Sequence, residues 1–281
     1  SCTGETDHTA FLQGQINKVV NGGTLQINGR CRLGGELRIV QRQNVVVQGP
    51  AILDGSTNTA SARHIRLQGG HGITVRDLTI LGARGNCSTG CKSDPLFRQH
   101  GVAIVSTSGD PITDVVIERT EISGINGDFV YLGAKDNPKD DLPIGLSPAA
   151  AAVLPTDADL PQRITITNNR FINSGRQGIS VSGGNQVLIS GNHIEAAGRT
   201  TFDFEAEAGG ALLVEISNNQ VLQYDNAVVN VGCADRGGLG LLNRGPIKVL
   251  NNTTYGQDLK INTSCAEADA ILEVQGNTRI G

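Results

Sequence analysis

Short runs of β-branched and aliphatic residues alternate with polar corners along almost the whole chain, and one kind of corner recurs. In each copy, such as ISGN-HI or ISNN-QV, an asparagine ends one apolar run and another run follows it. Because a repeat of this length buries its apolar face only by stacking on the next repeat, the pattern predicts a solenoid. The recurring residues, about 23 to 33 positions apart, are Asn169, Asn192, Asn219, Asn252 and Asn277.

One coil of this solenoid can be traced over residues 176–200. The pattern predicts strands at Gln177 to Val181, Val187 to Ser190 and His193 to Ala196, separated by glycine-rich or polar turns. Three short strands in a coil of about 25 residues predict an all-β parallel β-helix. We expect the asparagines to stack at one corner as a ladder of side-chain amides.

The N-terminal segment has a helical period instead. Its apolar residues share one predicted helical face, Asp7 is the predicted N-cap, and residues 21–23 (Asn-Gly-Gly) form the predicted stop. We expect this helix, within a cap of residues 1–35, to cover the open end of the stack. The rest of the chain carries repeats without a linker, which predicts one domain over residues 1–281. The helical apolar face comprises Phe11, Leu12, Ile16, Val19 and Val20.

Several phrases resemble the right-handed parallel β-helices of the pectin-lyase-like superfamily over nearly the whole chain. They are GTLQI after the N-terminal helix, VVVQGPAILDG, GRQGISVSGGNQVLISGNHIEAAG and the asparagine ladder. The resemblance implies a right-handed β-helix and a superfamily of polysaccharide lyases, glycoside hydrolases, uronate epimerases, esterases, phage tailspikes and adhesins. The chain lacks the WIDH and RxPxxR motifs of pectate lyases, the NTD with a following GHG of polygalacturonases, and the DPH of alginate epimerases. No catalytic assignment is therefore transferred residue by residue.

Charge and hydropathy argue against two kinds of partner, nucleic acid and the membrane interior. The net charge is -4 and no basic run is present, which argues against nucleic acid. No apolar stretch approaches the roughly 18 residues expected of a membrane helix, so no membrane insertion is predicted.

The cysteine count predicts the compartment. The chain has six cysteines, an even number that can form three pairs. Val229 and Ile261 occupy equivalent strand positions, which brings the cysteines four residues after each of them close together. Disulfides indicate an oxidising setting, so a secreted or otherwise extracytoplasmic location is predicted. The predicted pairs are Cys233–Cys265, Cys87–Cys91 and Cys2–Cys31.

A candidate binding face follows from aligning the first strands of successive coils. If Val130, Ile179, Phe204 and Val229 point inward, the period of two turns their neighbours outward on one sheet face. Two insertions, at residues 83–99 and 133–162, flank this face and are expected to wall a groove. The outward candidates are Phe129, Tyr131, Arg176, Ser180, Asp203, Glu205, Glu207, Val228 and Asn230, with His100 as a minor candidate near the groove edge.

The segment FDFEAEA places three carboxylates, Asp203, Glu205 and Glu207, at alternate positions. Like charges on one face repel, so the segment needs compensation, for which Arg176 is the nearest candidate. One interpretation is a solvated acidic face. The others are a catalytic site in which crowding raises the pKa of one carboxyl, or a calcium site held by Asp203 and Glu205.

We therefore predict an exported carbohydrate-active enzyme that binds an extended, acidic polysaccharide and cleaves or epimerises it. Lyase-type β-elimination is slightly favoured, with Arg176 stabilising charge and Tyr131 as base or acid. A glycoside hydrolase would use two of the three carboxylates of FDFEAEA. A third hypothesis is a non-catalytic, glycan-binding or adhesive β-helix. In each case the predicted sugar contacts are Phe129, Ser180, Glu207 and Asn230.

Overall fold

The structure, a computed structural model, shows a stack of coils whose strands all pair in parallel with their equivalents one coil away. It describes residues 1–58, 63–83, 99–107, 109–134, 156–206, 210–232, 243–264 and 266–281. Three strands per coil form three long sheets around one apolar interior. The predicted all-β parallel β-helix is confirmed.

The three sheets follow from the register. The first sheet contains Leu37–Gln43, Ile65–Leu81, Val102–Ser106, Val130–Ala134, Ile179–Val181, Thr200–Phe204, Ala227–Val231 and Ile261–Thr263. The second contains Thr24–Gln26, Val46–Asp54, Thr113–Glu118, Gln162–Thr167, Gly183–Ser190, Gly210–Ser217, Ile247–Leu250 and Leu272–Gln275. The third contains Cys2–Asp7, Gly29–Arg32, Glu121–Ile125, Arg170–Ser174, His193–Ile194, Gln220–Val221, Thr253–Tyr255 and Thr278–Ile280. Val46–Asp54 continues into the third sheet, and Ile65–Leu81 passes through all three.

Columns of apolar side chains fill the interior. In the first sheet, Val130 pairs with Ile179, Ile179 with Phe202, and Phe202 with Val229, and all four are fully buried. β-Branched and aromatic residues suit these strands because they pack well on a pleated surface. Each such side chain contributes about 1.5–3 kcal/mol on burial, so stacking supplies the stability that an isolated coil lacks.

The asparagine ladder is confirmed. The side-chain nitrogens of the first four asparagines each donate to the side-chain oxygen of the next one, at 3.0 Å from Asn169 to Asn192 and 2.9 Å from Asn219 to Asn252. The same oxygens accept the backbone N–H of the asparagine one coil earlier. The residue before each ladder asparagine has a positive φ, which glycine and asparagine tolerate best. These corner residues are Asn168, Gly191, Asn218, Asn251 and Gly276.

Asn219→Ala is expected to lower the free energy of unfolding by about 2 kcal/mol, because it leaves the buried backbone N–H of Asn192 without its acceptor and removes one hydrogen bond from each of the side chains of Asn192 and Asn252. Urea denaturation measures the change. Gln220→Ala, at the exposed neighbouring position, is the matched control and should change the stability by less than about 0.5 kcal/mol. Equal effects of the two substitutions would contradict a stabilising role for the ladder.

The N-terminal helix is present over Thr9–Lys18, and Leu12 and Ile16 bury its apolar face. The wider predicted face is wrong in part, because Phe11 and Val20 are 52% and 72% exposed. Asp7 lies one residue before the observed N-cap, His8, but its Oδ1 accepts the N–H of Thr9 at 2.9 Å. It therefore still satisfies a helix-end donor.

Two further elements are short: a 3₁₀ turn at Asp157–Asp159 and a helix at Ala266–Ala270. In the described ranges no helix has the length and apolar character needed to cross a bilayer.

The disulfide between Cys2 and Cys31 is confirmed and ties the first strand to the second coil. Val229 pairs with Ile261, which is the register used to predict Cys233–Cys265. Both of those cysteines, and the pair Cys87–Cys91, lie outside the described residues. Their disulfides stay predictions.

Candidate functional site

Polar side chains form a column on the outer face of the first sheet. Tyr131 pairs with Ser180, Ser180 with Asp203, and Asp203 with Asn230, so one of these residues occurs in each successive coil. Neighbouring strands lie about 4.8 Å apart, which brings the four side chains onto one continuous surface. The structure thus brings together four of the residues that the sequence predicted for this face.

The register of the acidic strand differs from the predicted one. Phe202, and not Phe204, pairs with Ile179 and Val229. Since the shift is two residues, both phenylalanines still point inward and Asp203 still points outward. Glu205 consequently lies one step beyond the strand end at Phe204 and is only partly buried.

The assignment of Phe129 to the sugar-binding face is wrong. Its side chain is fully buried and its ring stacks on Phe171, with centroids 5.1 Å apart. The strand begins at Val130, so Phe129 belongs to the preceding turn, where the alternation of a strand does not apply. Val228, the other apolar candidate, is also part of the interior.

Asp203 is a buried carboxyl group held by two amides. Its side chain is 1% exposed; Nε2 of Gln177 donates to Oδ2 and Nδ2 of Asn230 donates to Oδ1, both at 2.6 Å. Burial, followed by the negative charge of Glu205, raises the pKa of Asp203 to about 7. The hydrogen bond from Asn230 opposes this shift without cancelling it. Asp203 can therefore carry a proton near neutral pH.

A second buried carboxyl group, Asp128, lies in the turn before the Tyr131 strand. Burial raises its pKa to about 6, against the opposing charge of Arg176, whose Nε is 3.8 Å from Oδ1. Oδ1 also accepts the backbone N–H of Gln177 at 3.0 Å. Gln177 thus contacts both carboxyl groups, one through its backbone and one through its side chain. Oδ2 of Asp128 is buried without a hydrogen-bond partner.

His100 connects Asp128 to Tyr131. Its Nδ1 accepts the backbone N–H of Asp128 at 3.0 Å and lies 3.4 Å from Oδ2 of the same residue. Its ring stacks on Tyr131, with centroids 5.2 Å apart and planes 15° apart. Tyr131 packs with Ala103 and Val105 on the outer face, where Gly133 leaves room for the phenol. The minor candidate His100 therefore contacts both Asp128 and Tyr131, and its role in the site stays a prediction.

Part of the predicted site lies outside the described residues. These are Glu207 and residues 84–98 and 135–155 of the two insertions. The predicted groove walls stay a prediction.

The geometry at Asp203 does not suit calcium, which binds carboxylate, carbonyl and water oxygens. Both oxygens of Asp203 accept amide N–H groups, one of which a cation would have to displace. In the described part of the chain, no three His, Cys, Asp or Glu side chains come together as a ligand set.

Sequence reasoning missed Asp128 and Gln177. Both are polar residues in the turns that precede strands of the first sheet. The alternation within a strand does not predict the direction in which a side chain in a turn points. A usable signal was present: Asp128 and Gln177 stand at equivalent positions, two residues before the paired Val130 and Ile179.

Known structures share this fold. An alginate lyase from Paenibacillus sp. str. FPU-7 has a TM-score of 0.57 at 14% identity, over 96% of this chain and 93% of that chain. ORF18 of Geobacillus virus E2 has a TM-score of 0.54 at 12% identity, over 98% of this chain and 50% of that one. The catalytic unit of a GH87 alpha-1,3-glucanase from Streptomyces thermodiastaticus strain HF3-3 has a TM-score of 0.51 at 13% identity, over 94% and 50%. At identities this low, the likeness shows the fold alone.

Sequence comparison adds a family. No curated protein matches the chain significantly. A family model does match, over residues 100–278, which is more than half of the chain and includes the site described above. The chain belongs to the family described as the right handed beta helix region.

Proposed function

We propose that this protein is an exported, carbohydrate-active β-helix enzyme that hydrolyses glycosidic bonds of an extended polysaccharide on the first sheet. The observation that carries the proposal is Asp203, a buried carboxyl group with a pKa raised to about 7, on an outward column of polar side chains. A general acid needs this property, because it must hold a proton near the working pH and then release it.

Hydrolysis requires two carboxyl groups, and we assign these roles to Asp203 and Glu205. Asp203 would protonate the leaving glycosidic oxygen, and Glu205, which is close enough for its charge to raise the pKa of Asp203, would act as the carboxylate partner. Arg176 lowers the pKa of Asp203 by its charge and so keeps the proton transferable. Tyr131 and Ser180, in the two coils before Asp203, would contact the sugars on one side, and Asn230 would lie on the other.

The shape of the site supports an extended substrate. The column from Tyr131 to Asn230 crosses four coils, which corresponds to roughly 14 Å at the spacing of parallel strands. Two relatives in fold, by their names, act on polysaccharides, namely alginate and an alpha-1,3-glucan. The disulfide Cys2–Cys31 supports an oxidising, extracytoplasmic location.

A second candidate is β-elimination of a uronate polysaccharide, which the sequence slightly favoured. Its support is the chain of contacts from Arg176 to Asp128, from Asp128 to His100, and from His100 to Tyr131. We rank it second because the carboxyl groups of Asp128, Asp203 and Glu205 outnumber Arg176 in this described cluster. A substrate carboxylate would be repelled there wherever these groups are ionised.

A panel of neutral and acidic polysaccharides separates the candidates. Hydrolysis releases new reducing ends without ultraviolet absorbance, whereas β-elimination produces both reducing ends and an absorbing unsaturated uronate. Epimerisation changes the uronate composition without cleavage, and a glycan-binding protein retains affinity with none of these products. Reducing ends without absorbance are the expected result. Ultraviolet absorbance that rises together with the reducing ends would show that the reaction is elimination and not hydrolysis. We also expect equal rates of hydrolysis with and without a chelator.

A further inference from the structure

The two side-chain amides that hold Asp203 both present an N–H group to it. Gln177 donates through Nε2 to Oδ2, and Asn230 donates through Nδ2 to Oδ1. Two N–H donors fit the ionised carboxylate. A protonated Asp203 carries an O–H donor, so one amide must then present its oxygen instead of its nitrogen.

Gln177 is held with its nitrogen toward Asp203. Its Oε1 accepts the backbone N–H of Thr200 at 3.0 Å, and both residues are buried, with 5% and 2% exposure. Reversing this amide would leave the N–H of Thr200 without an acceptor, at a cost of about 1–3 kcal/mol. Gln177 therefore donates to Oδ2 whether or not Asp203 is protonated.

Asn230 has no such constraint. Within the described part of the chain, the bond to Asp203 is the only hydrogen bond of its side chain, and the residue is partly exposed. The terminal torsion of asparagine is broad and roughly two-fold, so the amide can reverse without leaving its rotamer. Reversal presents Oδ1 of Asn230 to Oδ1 of Asp203.

We propose that Asn230 reverses its side-chain amide when Asp203 binds a proton, so that the proton lies on Oδ1 of Asp203. Asn230 is then a positioning residue that acts through Asp203, and the role of this proton in catalysis rests on the proposed function. During hydrolysis the O–H bond at Oδ1 breaks, the proton joins the leaving glycosidic oxygen, and the amide turns back to the carboxylate. Water supplies the hydroxyl of the new reducing end and its proton passes to Glu205.

Other charges set how tightly the proton is held, but not which oxygen holds it. The charges of Glu205, on the same segment, and Asp128, in a turn two coils earlier, favour the proton. The charge of Arg176, in the turn one coil earlier, opposes it. All three act on the carboxyl group as a whole, whereas the two amides distinguish Oδ1 from Oδ2.

A carboxyl-carbon NMR titration of Asp203 without substrate tests the inference in the wild type, Asn230→Leu and Gln177→Leu. The N–H bond from Asn230 favours the ionised form, but the reversed amide would bond to the protonated form as well, so loss of Asn230 should shift the pKa by less than about 0.5. Gln177 donates to Oδ2 in both forms but binds the ionised form more strongly, so its loss should raise the pKa by about 1 or more. An equal rise in both variants would mean that Asn230 is a fixed donor and would overturn the inference.

If Gln177→Leu does not fold, a measurement in the wild-type protein still tests the inference. The side-chain amide nitrogen signal of Asn230 should move with the titration of Asp203, and move more than the signal of Gln177. An unmoved Asn230 signal would overturn the inference. Neither titration depends on enzyme activity, so the two proposals are tested separately. Normal activity of Asp203→Asn would contradict the proposed hydrolysis without deciding whether the amide of Asn230 reverses.

Discussion

Asp203→Asn is expected to lower the rate of polysaccharide hydrolysis by about 10²- to 10⁴-fold, which is the usual contribution of a general acid. The substitution keeps the size of the side chain and the oxygen that Gln177 needs, but it removes the transferable proton. Reducing-end release by matched amounts of folded protein measures the effect. Turnover within a few-fold of the wild type would remove Asp203 from the mechanism.

The same substitution is expected to stabilise the fold at alkaline pH. The folded-state pKa of Asp203 is raised above 3.8, so the folded state binds this proton more tightly than the unfolded state does. The stabilisation that comes from this tighter proton binding is therefore fully present below about pH 4. It is lost as the pH rises to about 7, and the loss in the free energy of unfolding is about 4 kcal/mol at most. Because asparagine does not titrate, Asp203→Asn does not lose this stability as the pH rises.

Urea denaturation at pH 5 and pH 8 checks the sign. The stability of Asp203→Asn relative to the wild type should be higher at pH 8 than at pH 5. Asp114→Asn is the control: hydrogen bonds from Arg163 lower the pKa of Asp114 to about 2, so Asp114 is ionised at both pH values and its substitution should change the stability equally at pH 5 and pH 8. A relative stability of Asp203→Asn that falls with pH would contradict the raised pKa.

Arg176→Gln is expected to destabilise the fold by about 3 kcal/mol at pH 8, because it leaves Asp128 as a buried carboxylate without its counter-charge. Without Arg176 the pKa of Asp128 rises further, since that charge lowers it in the wild type. Asp128 then takes up a proton at pH 5, and the destabilisation should be smaller there. Urea denaturation at the two pH values measures both effects.

Two further variants make this prediction specific. Asp128→Asn combined with Arg176→Gln should recover most of the lost stability, because the buried charge of Asp128 is removed together with its partner. Arg163→Gln breaks an exposed ion pair with Asp114 and should cost no more than about 1 kcal/mol. A pH-independent loss in Arg176→Gln, without recovery in the double variant, would contradict the pairing of Arg176 with Asp128.

The fold was predictable because its rules are periodic. The asparagines at one corner and the alternation within each strand are local signals, and both recur with the coil. They were enough to place Tyr131, Ser180, Asp203 and Asn230 on one outward column, even though the acidic strand was misaligned by two residues.

The site was less predictable because its deciding contacts are made by turns. Phe129, Asp128 and Gln177 lie outside strands, so the period of two does not fix their directions. Phe129 points into the core, whereas Gln177 binds the carboxyl groups of Asp128 and Asp203. The raised pKa of Asp203 depends on burial and on the charge of Glu205, neither of which is a property of the local sequence.

A crystal structure of Asp203→Asn with an oligosaccharide of the cleaved polymer tests the central claim most directly. We expect the sugars to follow the first sheet from the coil of Tyr131 to the coil of Asn230. The glycosidic oxygen should lie within about 3.2 Å of the substituted side chain. An oligosaccharide bound to the second or third sheet, or one on the first sheet with no glycosidic oxygen near position 203, would contradict the account.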